Sequence, residues 1–422
     1  MRVLLINTSE RTGGAAIAAN RLMEALKNAG IKAKMLVRDK TTEEITVVAL
    51  ESSWWLKLKF IWERFVIWVA NHFHRHRLFD VDIANVGTDI TSLPEFKEAD
   101  VIHLHWINQG FLSFDNLKKI TDSGKPIVWT MHDMWPFTGM CHYSGDCDKY
   151  RTGCGYCHML YAGGYSRDLA HRTFVKKEKW LKRVNITFVA CSNWLQSMAK
   201  TSKLLEGQQI LSIPNPINTN LYHPSDKQEA RLKCNLPQDK KLILFTAFKT
   251  TSPIKGIAFL QKACHLMAEK YPDMKDKLGI IAVGKDSEQI QQMFPYPVYT
   301  TGYVTNEKQM VNLYNAADLF VIPSLQDNLP NTVVEAMACG VPCIGFNVGG
   351  LPQMIDHLHN GYIAEYKNAG DLANGIRWAL TDGDYAELSE MAYRKAVGTY
   401  SERRIAMQYI DIYNKVTQSE HV

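Results

Sequence analysis

A repeated alternation of short apolar runs with helical stretches constrains this chain more than any other feature. Val3-Leu-Leu-Ile6 is a continuous apolar run, as expected of a strand buried on both faces. A loop holding Gly13-Gly14 follows, then an alanine-rich stretch from about Ala15 to Asn28 that stops near Gly30. Ile31 to Val37 reads as the next strand, which completes a βαβ unit. The rhythm continues through Val101–Trp106, Ile127–Met131, Ile186–Cys191 and Ile210–Ile213. A Pro- and Asn-dense segment, IPNPINTNLYHP (213–224), reads as a linker. A second series then runs through Leu242–Ala247, Gly279–Val283, Val298–Thr301, Leu319–Pro323 and Pro342–Phe346. The fold class expected is α/β, with two Rossmann-like domains whose mostly parallel sheets face each other across a cleft. Ligands in such sheets bind beyond the carboxyl ends of the strands.

Length agrees. A chain of 422 residues is too long for one ordinary core, and two domains of about 200 residues each are the natural division. The expected boundaries are 1–215, 216–400 and a terminal helix in 401–422. A charge of +5 suits anionic small ligands or an acidic membrane surface and is too weak a signal for nucleic acid. The opening apolar run is too short for a secretory signal, so a cytoplasmic location is expected. The nine cysteines are then free thiols or metal ligands.

The stretch LQDNLPNTVVEAMACG (325–340) places two carboxylates, Asp327 and Glu335, where a loop turns into a helix. Two readings of Glu335 compete. Thr332-Val-Val-Glu335 fits a capping box, with the glutamate reaching back to the N-cap amide. Alternatively, the helix N-terminus receives a diphosphate and the carboxylates accept hydrogen bonds from sugar hydroxyls. The second reading needs a nearby cation. Lys255, in a loop after the first strand of the second series and directly before Gly256, is the candidate, able to neutralise charge on a leaving diphosphate.

These motifs carry a resemblance over nearly the whole chain. The Gly13-Gly14 loop, TMHD (130–133), Lys255-Gly256 and the acid-x7-acid block ending in EAMACGVPCIGFNVGG (335–350) are together similar to the retaining GT-B glycosyltransferases of the family 4 group. Within that group the chain resembles bacterial transferases of the exopolysaccharide and colanic-acid type. The resemblance implies transfer from a UDP- or GDP-type nucleotide sugar, without a catalytic metal, to a lipid-linked or other saccharide acceptor in surface polysaccharide assembly. It places Glu335 on the ribose, Asp327 on the transferred sugar, Lys255 on the diphosphate and His132 beside the reacting centre. Gly13, Gly14, Asn328, Leu329, Pro330, Asn331 and Thr332 would line the donor pocket. Two departures stand out. Asp327 occupies a position usually held by glutamate, and no arginine stands in the few residues before Lys255. Lys249 is the nearest cation and is expected to take that place in the donor pocket, without arginine's two-pronged fork. His105, which shares a strand face with His103, is expected on the acceptor side.

Two segments lie outside this frame. Cys141, Cys147, Cys154 and Cys157 are spaced C-x5-C-x6-C-x2-C and read either as a structural zinc site or as reduced thiols in an ordered loop. The tryptophan-rich stretch 52–73 puts Trp54, Leu58, Ile61, Phe65 and Val69 on one helical face, with a basic tail at His72–Arg77. It reads either as a helix packed on the protein or as one lying on the inner membrane surface. A sugar-nucleotide epimerase and a zinc-ribbon binding protein are the competing functional readings. The paired acids and lysine argue against the first, and two full α/β domains argue against the second.

Overall fold

In the computed structural model residues 1–50 and 54–418 are described, and the chain divides into two compact units. One comprises Met1–Pro214 together with the chain from Ile405 onward, and the other is Asn215–Arg404. Residues 52 and 53 of the tryptophan-rich stretch, and the last four of the expected terminal helix, lie outside the described residues.

The first unit is built on seven parallel strands: β1 (Arg2–Ser9), β2 (Lys32–Asp39), β3 (Val47–Ala49), β4 (Val101–Leu104), β5 (Ile127–Met131), β6 (Thr187–Ala190) and β7 (Gln209–Ser212). Their order is β3-β2-β1-β4-β5-β6-β7. The two-residue period of a strand explains the unbroken apolar runs. Leu4 and Ile6 point into one core with Leu36, Leu104 and Trp129, while Val3 and Leu5 point into another with Met35 and Val128. Each such side chain, fully buried, contributes roughly 1.5–3 kcal/mol. The helix after β1, α1 (Gly14–Asn28), lays Leu22, Met23 and Leu26 on the second of these cores. Helix α2 (Trp54–Ala70) follows β3 and buries only Glu63, Arg64 and Ile67.

The second unit has six parallel strands: β8 (Lys241–Lys249), β9 (Leu278–Lys285), β10 (Val298–Thr300), β11 (Leu319–Ile322), β12 (Cys343–Phe346) and β13 (Gly361–Ala364). The order is β10-β9-β8-β11-β12-β13. The chain winds outward from β8 through β9 and β10, then returns to start again at β11. The switch point therefore lies between β8 and β11, where open α/β sheets bind ligands. Helices α3 (Ile257–Lys270), α4 (Glu307–Ala316) and α5 (Asn331–Ala338) follow β8, β10 and β11. The last helix, α6 (Glu402–Gln418), packs Ile405, Tyr409, Ile412 and Tyr413 into the core of the first unit.

The sheets hold two strands that the sequence reading lacks. Strands β3 and β13 were not expected, because three or four residues at a sheet edge leave no readable pattern. The segment read as a linker holds the boundary between the units, after Pro214, and its later residues are packed in the second unit: Tyr222 is fully buried near Tyr314, and Ile217 bridges to Ser401.

Candidate functional site

In the second unit, three loops meet at the carboxyl ends of β8, β11 and β12. The loop after β8 ends in a single 3-10 turn, Pro253–Lys255, and Gly256 then starts α3 with φ of 69°. A Cβ at Gly256 would overlap the carbonyl oxygen of Pro323, at the end of β11. Leu325 N donates to Ile254 O at 2.8 Å, which ties these two loops together. Gly349, with φ of 57°, lies against the carbonyl of Asp327, and Gly350 N donates to that carbonyl at 3.3 Å. Glycine is needed at 256 and 349 both for the left-handed backbone and for the close approach. Gly256→Ala is expected to lower stability by roughly 1–3 kcal/mol from the backbone alone. Thermal unfolding measures it, and an unchanged Tm would contradict this packing.

The loops bring Lys255 and Asp327 together, with Nζ donating to Oδ2 at 2.7 Å. Asp327 is mostly covered, and Lys255 is about one-third exposed (34%). Asn328, Leu329 and Pro330 are buried in the turn that follows, and Asn331 and Thr332 open α5 half-buried. Asn215 Nδ2 donates to Asn331 Oδ1 at 3.0 Å. Two further hydroxyls, Thr246 Oγ1 in β8 and Ser324 Oγ just after β11, are buried with no hydrogen-bond partner among the described residues.

The capping-box reading of Glu335 is corrected. Pro330 is the N-cap of α5 and makes no side-chain cap, so Thr332 already sits inside the helix. Glu335 is buried, and its Oε2 accepts the hydroxyl hydrogen bond of Tyr314, on α4, at 2.8 Å. Tyr314 carried no sequence signal, because its pairing with Glu335 depends on how α4 and α5 pack. Lys249 stands apart from Lys255. It is exposed, and its Nζ lies 3.3 Å from Asp286, after β9.

The remaining candidates belong to the first unit. Gly13 is the N-cap of α1 at φ of 91°, with open space around it, and Gly14 begins the helix. His105 and His132 follow β4 and β5, with His105 Nδ1 and His132 Nε2 at 3.0 Å. His132 Nδ1 also lies 3.5 Å from Cys191 Sγ, whose thiol donates to Met131 O. His105 Nε2 is buried with no hydrogen-bond partner among the described residues. His103, by contrast, is satisfied by Tyr413 and Thr130.

Burial pushes the His132 pKa down to about 4 and, with neighbouring His132, that of His103 down to about 3. Burial also holds His105 well below the usual imidazole value, helped by His103 and His132. All three are neutral at pH 7. As pH falls below 6.5 the unfolded chain takes protons that these three refuse, so stability is lost. Glu63, raised to about 7 mainly by burial and then by Asp82, opposes this with a single proton. Tm is therefore expected to fall between pH 6.5 and about 4, and a flat profile across that window would contradict the neutral cluster.

Asp133 of the TMHD motif faces inward. Its Oδ2 accepts from Trp106 Nε1 at 2.9 Å and pairs with His142 Nδ1 at 2.7 Å, while Oδ1 accepts from Trp135 N. His142 Nε2 lies 2.6 Å from Asp82 Oδ2, and Asp82 also binds the Arg64 guanidinium. Burial would lower the His142 pKa, but the two carboxylates outweigh it and raise it to about 10. This imidazolium fixes the loop that carries His132.

The four cysteines line a common cavity beside this network, together with Lys149 and His158. The zinc expectation is not supported by their geometry. Among the described residues no three or more His, Cys, Asp or Glu side chains are arranged to hold a metal ion. Burial pushes the thiols of Cys141, Cys154 and Cys157 up to about 12.

A family model described as Glycosyltransferase Family 4 matches residues 12–221, and one described as Glycosyl transferases group 1 matches 240–382. The chain belongs to the glycosyltransferase family. An uncharacterized glycosyltransferase of Methanocaldococcus jannaschii is 29% identical over 362 residues, covering 79% of this chain and 89% of that one. A D-inositol 3-phosphate glycosyltransferase of Thermobispora bispora is 25% identical over 224 residues, 50% of this chain and 52% of that protein. The chain spans about half the length of several curated relatives it matches. Among solved structures, an Anabaena protein in complex with UDP-glucose has a TM-score of 0.65 at 17% identity, covering 98% of this glycosyltransferase and 100% of that chain. The fold is of the GT-B class, with a parallel α/β sheet in each unit.

Proposed function

We propose that this glycosyltransferase moves a sugar from a nucleoside-diphosphate donor, of UDP or GDP type, to a saccharide acceptor with retention of anomeric configuration. The observation that carries the reading is the Lys255–Asp327 pair at the switch point, beside the N-terminus of α5. Without donor, Asp327 holds the ammonium in place. The diphosphate takes over Lys255, and Asp327 is released to accept from a hydroxyl of the sugar. The α5 amides and Lys255 stabilise the charge that grows on the leaving diphosphate. Glu335, oriented by Tyr314, binds the ribose hydroxyls. His132, held neutral, offers its imidazole to the reacting sugar. A UDP donor is favoured by the Anabaena neighbour's UDP-glucose. The acceptor is a lipid-linked oligosaccharide of surface polysaccharide assembly, met at the inner membrane face.

The test is transfer from a panel of UDP- and GDP-sugars to membrane-extracted glycolipid, with the product's anomeric configuration read by NMR. Retention, with a rate unaffected by a chelator, is the expected result. Inversion, or abolition of turnover by the chelator, would overturn this mechanism.

A further inference from the structure

Helix α2 is inside out. Amphipathic helices on globular proteins bury their apolar stripe and expose their charges. Here Glu63 and Arg64 face inward, while Trp54, Trp55, Leu58, Ile61, Trp62 and Phe65 are exposed. The buried charges lock this orientation. Glu63 Oε1 accepts from the amides of Ile83 and Ala84 at 2.9 and 2.8 Å. Arg64 donates to the carbonyls of Leu78 and Val81 and to Asp82. Rolling the helix to hide its aromatic residues would strip these partners from the buried Arg64 guanidinium and the Glu63 carboxyl, which is strongly unfavourable.

The exposed face continues into the loop after α2. Phe73 meets Trp68 edge-on at 4.8 Å and is 63% exposed. His74 stacks on the exposed Tyr161 at 3.6 Å. Asn71 holds the loop in shape, donating to the carbonyls of His74 and His76 and accepting from Tyr161 N. Lys57, Arg75 and Arg77 are exposed beside these aromatic residues. The only acid between positions 54 and 79 is Glu63, which is buried.

We propose that the exposed face of α2, with the loop at 71–79, docks on an anionic phospholipid surface. The helix lies in the plane of the interface, and no described helix is long and apolar enough to cross a membrane. Tryptophan and phenylalanine enter the headgroup boundary, and Lys57, Arg75 and Arg77 meet the phosphates. Charge decides between lipid and a second copy of the chain. A two-fold pairing of this face would set its cationic rim against itself. The proposal deepens the function given above and rests on it for its purpose, delivery of a lipid-borne acceptor.

The experiment is flotation of the whole protein with vesicles of phosphatidylcholine alone and of phosphatidylcholine with phosphatidylglycerol, in parallel with titration by UDP and by GDP. The wild type is expected to float with the anionic vesicles, less so at high salt, and to stay behind with the neutral ones. Trp62→Ser with Phe65→Ser, and separately Lys57→Glu with Arg75→Glu, are each expected to weaken binding about tenfold or more. These are surface positions, so Tm and nucleotide binding should not change. Absence of flotation in a wild type that binds UDP or GDP overturns the docking surface and leaves the donor site standing. Flotation without binding of either UDP or GDP does the reverse. Flotation unaffected by either double variant, or a concentration-dependent dimer abolished by Trp62→Ser with Phe65→Ser, would also overturn the docking surface.

Discussion

Lys255→Ala is expected to lower kcat by roughly 10²–10³-fold while the protein stays folded. The size follows from where the charge acts. A cation on a leaving diphosphate is worth most in the transition state, when the bond to the sugar breaks and negative charge accumulates on phosphate oxygen. The small effect on stability follows from exposure. Lys255 is about one-third exposed, and its pair with Asp327 is worth about 1 kcal/mol or less to folding. Lys255→Arg should recover part of the activity, because the charge returns with altered reach. Lys249→Ala is the control. That ammonium is exposed and drawn to Asp286, so its loss should change the rate only slightly. Steady-state kinetics on the three variants decides. Equal losses at 249 and 255 would mean that the pairing seen at Asp327 does not mark the donor site.

The second large effect is on folding. His142→Ala is expected to destabilise the first unit by about 3–5 kcal/mol, because it leaves Asp82 and Asp133 buried with one partner fewer. The pH dependence has a definite sign. The folded pKa of His142 is raised to about 10, so its contribution is complete below 6.5 and disappears as pH rises through about 10. The gap between wild type and variant should therefore narrow with rising pH. Buried Lys177, lowered to about 7 chiefly by burial, acts in the opposite direction over this range in both proteins, so the difference between them is the quantity to follow. Denaturant unfolding at several pH values measures it. A constant gap would mean that His142 is neutral in the folded protein.

The strands were legible because a parallel sheet covered on both faces demands unbroken apolar runs, and Ile127–Met131 appears as read. The Lys255 and Asp327 loops were legible because each lies directly after such a run. Periodicity also grouped Trp54, Leu58, Ile61, Phe65 and Val69 on one face, but it says nothing about whether that face turns inward. That was settled by Arg64 finding Leu78, Val81 and Asp82, contacts set by the fold of the chain after the helix. The same holds for His142 between Asp82 and Asp133, and for Tyr314 on Glu335. At Glu335 the local pattern pointed to a cap, and the packing of α4 against α5 overrode it. The cysteine spacing allowed a metal or reduced thiols, and the fold gathers all four around one cavity.

Calorimetric titration with UDP and GDP, on the wild type and on Glu335→Gln, tests the central claim most directly. Glutamine keeps an acceptor for Tyr314 and removes the charge. One nucleotide is expected to bind the wild type with a stoichiometry of about one, and to bind the variant much more weakly. Equal affinity in the two proteins, or no binding by folded wild type, would contradict a donor site at the β8–β11 switch point.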